Sequence, residues 1–85
     1  MQYLAIAFRS RAETVKFSEL LSANRISNEI INTPKDAGVG CGLSCKVSVN
    51  YFSVIKNAIR KMHFTSFAGV FLVKSVGGKR IVTTI

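Results

Sequence analysis

The chain predicts an α+β fold of ferredoxin-like type: a βαββαβ open sandwich whose antiparallel sheet has the order 4-1-3-2, extended by a C-terminal edge strand that forms a hairpin with strand four. Three observations predict it. Short β-prone runs alternate with two segments of helical period. The middle pair of runs is joined by a glycine-rich loop with no helical period. Gly77-Gly78 separates two β-prone runs near the C-terminus, and the primed turns of two-residue hairpins need positive φ at such positions.

Residues 3–8 are short, apolar and bounded by Arg9-Ser10, which reads as a buried strand with Leu4, Ile6 and Phe8 on one face. Ser10 then opens a helix that runs to about Asn24. Ser10 and Glu13 have capping-box spacing, in which the hydroxyl accepts a free backbone N–H and the carboxylate reaches back to the cap. Phe17, Leu20 and Leu21, edged by Thr14 and Asn24, form its buried side. Residues 26–31 give a second strand, stopped by Asn32-Thr33-Pro34 because proline lacks a ladder donor and restricts its predecessor. After the glycine-rich loop, Leu43, Cys45, Val47 and Val49 alternate with Ser44, Lys46 and Ser48 in a half-buried third strand. Asn50 is the expected cap of a second helix with Tyr51, Ile55, Ala58, Ile59 and Met62 on one face. Residues 67–76 and 79–85 supply the last two strands. Both helices cover one face, and the other shows Tyr3, Ala5, Ala7, Val70 and Leu72, apolar enough to expect a partner subunit or the tail over part of it.

At 85 residues the chain forms one core. An apolar fraction of 48% with 19% charged residues excludes intrinsic disorder, and no apolar run reaches the roughly 20 residues of a membrane span. The first residues lack the basic region and small-residue cleavage site of a secretory signal, so a cytoplasmic location is expected. Two cysteines make a poor disulfide framework, which favours free thiol chemistry. The formal net charge of +8 favours acidic surfaces, nucleic acid or anions, with the cations scattered rather than run together.

The segment from Thr33 to Cys45 carries the chemistry. Cys41 lies between Gly40 and Gly42, and small neighbours let another backbone or a sulfur-bearing ligand come within bonding distance. In the predicted topology this loop shares one end of the sheet with the start of the first helix, with Arg9, Ser10 and Arg11, and with His63 at the end of the second helix. A positive helix end and cationic neighbours stabilise thiolate over thiol, and would equally hold an anion such as sulfide, selenide or phosphate. Cys45 has the phase of a core residue; a resolving thiol is the alternative. His63 either complements the dipole of its helix or assists the thiol.

Asn32-Thr33-Pro34-Lys35 followed by Gly40-Cys41-Gly42-Leu43-Ser44, after a helix ending in Leu20-Leu21 and a short strand, resembles the selenium/sulfur carrier-like family of small bacterial proteins over about residues 2 to 73. The resemblance implies that Cys41 carries sulfur or selenium as a persulfide, received from a donor such as a cysteine desulfurase and passed to an acceptor enzyme. It implies a carrier more than an independent enzyme, with no cofactor. It divides the chain into a carrier-like domain, 1–74, and a hairpin extension, 75–85, which offers an edge for a homodimer. Two departures stand out: Cys45 occupies a position that is ordinarily a plain apolar residue in the family, which supports a core role, and residues 75–85 run past the family's usual end.

Other classes find less in the sequence. RNA-recognition domains share the fold but stack bases on aromatic residues of the third strand, and this one has none. A closed zinc site wants four ligands, against two Cys and one His here, so no metal site is expected within one chain. No paired carboxylates, Ser-His-Asp set or phosphate loop marks an enzyme. The alternative to a carrier is a non-catalytic binding or assembly module for a soft metal or an anion.

Overall fold

The computed structural model describes residues 1–38 and 42–85. Along the chain, β1 (Gln2–Phe8) leads to α1 (Arg11–Ala23), then β2 (Glu29–Asn32), a 3-10 turn (Lys35–Ala37) and β3 (Leu43–Val47). A second 3-10 turn (Val49–Tyr51) runs into α2 (Phe52–Lys61), followed by β4 (Phe67–Val76) and β5 (Lys79–Thr84). The fold is α+β, and all four strand pairings are antiparallel. The five strands lie in the order β2-β3-β1-β4-β5, which from the other edge is β5-β4-β1-β3-β2. β4 runs unbroken from Phe67 to Val76, and Gly77 and Gly78 turn it into β5 with φ of 55° and 80°.

Strand alternation sorts the core into two clusters. Leu4, Ile6, Phe8, Cys45, Val47 and Val70 face Phe17 and Leu21 of α1 and Ile55 of α2, so both helices lie on one side of the sheet. Phe8 is central: its ring meets those of Phe17, Phe64 and Phe67 at centroid distances of 5.3, 5.1 and 5.9 Å, in tilted or edge-on geometries that suit aromatic quadrupoles. On the opposite side Ala5, Ala7, Phe71 and Val73 form a second buried cluster.

That second cluster corrects the expected open face. Register pairs Ala5 with Phe71 and Tyr3 with Val73, so Phe71 and Val73 join Tyr3, Ala5 and Ala7, while Val70 and Leu72 turn toward the helices. The phase shift comes from a bulge where β1 passes from Ala7 to Phe8, at which the register moves from Gly69 to Phe67. Ala37 of the first 3-10 turn and Val82 of β5 pack on this side, so the chain itself encloses the apolar cluster.

The second strand begins later than its composition suggests. Arg25 adopts a left-handed φ of 60°, the Ile26 amide donates to the Leu21 carbonyl at 2.9 Å, and the Arg25 amide donates to Ser22 at 3.0 Å. This pairing of bonds is a Schellman stop, and it sends Ile26 into the core beside Leu21 rather than into the ladder. Asn28 then ties the turn back to the helix through Ser18 and Ser22. α2 departs likewise: Asn50 does not cap it, its N-cap Tyr51 makes no side-chain capping bond, and Ser48 instead caps the preceding 3-10 turn, accepting from the Asn50 amide at 3.3 Å.

Candidate functional site at the loop end of the sheet

Four chain segments converge where β1 ends. Ser10 caps α1 as its spacing predicts, accepting from the Glu13 amide at 3.3 Å. The return half of the capping box is different. Glu13 turns its carboxylate to the connection between α2 and β4, accepting the Thr65 amide at 3.2 Å, the Thr65 hydroxyl at 3.1 Å, the Ser66 amide at 2.7 Å and the Ser66 hydroxyl. The Ser10 amide is satisfied by the Ser66 hydroxyl at 3.0 Å, and the Arg9 amide by the Ser66 carbonyl at 2.9 Å. Hydrogen bonds from Ser66, and then from Thr65, hold the Glu13 carboxyl below its ordinary value of 4.5.

The cysteine loop leaves the sheet through a closed neck. The Thr33 amide donates to the Gly42 carbonyl at 3.0 Å, and the Thr33 and Ser44 hydroxyls share a buried hydrogen bond of 2.8 Å. Ser44, expected on a half-exposed face, is therefore fully enclosed. Gly42 lies so close to β1 that an added Cβ would stand 2.9 Å from the Phe8 carbonyl oxygen. Its missing side chain thus serves the chain's own close approach. Past the neck, Pro34 is buried, the Lys35–Ala37 turn closes through Ala37 to Pro34 and Gly38 to Lys35 bonds, and Gly38 ends it with a left-handed φ of 72°.

Arg9, Arg11, Asn32, Gly42 and Leu43 line a cleft of about 290 Å³ at this neck. Both guanidinium-bearing residues are exposed. Gly40 and Cys41 lie outside the described residues. Gly42 is their described neighbour, and it opens directly on this basic cleft. His63 is exposed beyond the C-cap of α2, Met62, two residues before the Thr65 that binds Glu13.

Cys45 belongs to the interior. It is fully buried against both helices' face of the sheet, its thiol donates to the Thr14 carbonyl at 3.5 Å, and burial pushes its pKa up to about 11. Among the described residues, no group of three or more His, Cys, Asp and Glu side chains is placed to hold a metal ion. No helix of the described residues is long and apolar enough to cross a membrane.

Three contributors escape the sequence-level reading: the Glu13 carboxylate as a clamp on Thr65 and Ser66, the Thr33–Ser44 bond, and Asn32 in the cleft. Their partners lie far off in sequence or across the sheet, where spacing rules carry no signal.

The fold and site define a small α+β protein in which Thr33, Gly42 and Ser44 form a bonded neck beside a cleft lined by Arg9 and Arg11. A match over residues 3–66 shows the particular family: the chain belongs to the family described as "Putative Se/S carrier protein-like". No curated protein and no solved structure matches it.

Proposed function

We propose that this protein carries sulfur or selenium on the Cys41 thiol, within a ferredoxin-like scaffold of the cytoplasm, and that residues 1–74 form the carrier unit. Membership of the carrier-like family over residues 3–66, a stretch that includes the cysteine loop, carries this reading. The neck made by Thr33, Gly42 and Ser44 and the cleft beside Arg9 and Arg11 support it.

In the step proposed, the Cys41 thiolate attacks the outer sulfur of a donor persulfide, such as that of a cysteine desulfurase. The donor's S–S bond breaks, its inner sulfur leaves as a thiolate with the electron pair, and a persulfide forms on Cys41. An acceptor thiolate then attacks that outer sulfur and frees Cys41 as thiolate. Each exchange conserves electrons, so neither an oxidant nor a reductant is needed. Arg9 and Arg11, with Ser10 at the helix start, steady the anionic sulfur; Gly40 leaves room for the partner; and Cys45, buried and protonated, contributes packing.

The test is transfer. Incubated with a cysteine desulfurase and sulfur-labelled cysteine, the protein should gain label that a thiol reductant releases, and Cys41→Ser should gain none. An unlabelled protein whose Cys41 is open to alkylation would instead favour a module that binds an anion in the Arg9–Arg11 cleft.

A further inference from the structure

We infer that β5 is an interface for a second copy of this chain, joining two five-stranded sheets edge to edge in one antiparallel register. The inference is independent of the carrier reading. The Ile85 amide donates to the Val70 carbonyl at 3.0 Å, and the Ser75 amide donates away from β5, to Met1 at 2.9 Å. With the pairing of Val76 to Lys79 through Phe71 to Thr84, these bonds set the parity of the hairpin. Lys79, Ile81, Thr83 and Ile85 direct their main-chain groups to β4. Arg80, Val82 and Thr84 direct theirs outward, where among the described residues no strand stands beside them.

The edge has few of the features by which sheets discourage a further strand. It has no proline and no bulge along its pairing with β4, and Ile81 and Ile85 remain 49% and 47% exposed beside it. The opposite edge differs: β2 is four residues long and begins with the exposed Glu29.

The occupant follows from self-complementarity. When β5 meets its own copy antiparallel with Val82 opposite Val82, Arg80 faces Thr84 and Ile81 faces Thr83, and each outward-facing pair exchanges both main-chain hydrogen bonds. In this register Lys79 faces Ile85, so no cation opposes a cation across the seam, and Ile81 and Ile85 gain apolar cover. The exposed apolar rows of the two copies meet on the same side of the joined sheet. The net charge of +8 on each copy opposes the encounter, so association should tighten as salt screens it.

Sedimentation of the full chain over a micromolar concentration series, in low and in high salt, tests this. A monomer–dimer equilibrium that strengthens with salt is expected. Val82→Pro removes an outward N–H without touching a bond to β4, and should weaken the dimer about tenfold or more while circular dichroism stays that of the parent. In a Cys41→Ser background, Val82→Cys should cross-link to its own copy with a short bis-maleimide faster than Ile81→Cys. A chain monomeric at every concentration and salt would overturn the inference, as would a dimer indifferent to Val82→Pro or a cross-linking preference for Ile81→Cys.

Discussion

Glu13 accepts the Ser66 amide at 2.7 Å and the Ser66 hydroxyl as well, so the first turn of α1 is fastened to the start of β4 by a carboxylate that capping rules assign to its own helix. The same Ser66 hydroxyl receives the Ser10 amide at 3.0 Å. A local capping box has become a bridge between two connections at the loop end of the sheet.

This bridge has a pH signature. The carboxyl is held below its ordinary 4.5 in the fold, so it stabilises the native state above that value, and the stabilisation is lost as pH falls through the lower native value. Thermal unfolding followed from neutral pH to below 4.5 should show a decline in Tm that is shallower in Glu13→Gln. Equal slopes for parent and variant would remove Glu13 from this role.

Gly42→Ala should cost stability through sterics alone, since a methyl there meets the Phe8 main-chain oxygen at 2.9 Å. Overpacking of this kind costs about 1–3 kcal/mol, which denaturant titration resolves readily. Chemical-shift changes should centre on Phe8 and Thr33.

Thr33→Val leaves the buried Ser44 hydroxyl without its 2.8 Å partner and should cost about 1–3 kcal/mol, while Thr33→Ser keeps the bond and most of the stability. A neutral Thr33→Val would show that the neck is held by the backbone bond to Gly42 alone.

Arg25 pays for its left-handed φ of 60° because it carries a Cβ where helix stops prefer glycine. Arg25→Gly should therefore stabilise the protein by up to about 1 kcal/mol, read as a rise in denaturation midpoint at unchanged slope. A fall in midpoint would contradict the Schellman account.

Much of this architecture is legible in the chain. Period-two runs mark Leu4, Ile6 and Phe8 and Cys45 and Val47, Ser10 announces the first helix, and Gly77-Gly78 announces the last hairpin. What is hidden has a common physical cause. The bulge opposite Ala7 and Phe8 flips the phase of β4, so alternation read along residues 67–76 assigns Val70 and Leu72 to the wrong face. Ile26 is β-prone but is claimed by the helix stop. The Thr33–Ser44 and Glu13–Ser66 bonds join residues that meet only once the sheet is assembled. Gly42 is legible as a glycine that permits close approach; the Phe8 main chain it approaches and the Thr33–Ser44 bond beside it are not.

Charge in the cleft should set thiol reactivity. Replacing Arg9 and Arg11 by Gln removes two cations lining the space beside Gly42. On the proposed function these cations favour thiolate over thiol at Cys41, so their loss lowers the reactive fraction. Alkylation of Cys41 near neutral pH should be slower in the double variant than in the parent, with Cys45, buried in the core, unreactive in both until the fold is opened.

The most direct measurement is the intact mass of the protein after incubation with a cysteine desulfurase and either cysteine or selenocysteine, with Cys41→Ser and Cys45→Ser alongside. The carrier account predicts one added chalcogen atom on the parent and on Cys45→Ser, and none on Cys41→Ser. An adduct that survives Cys41→Ser, or a parent that gains no mass while its Cys41 alkylates freely, would contradict it.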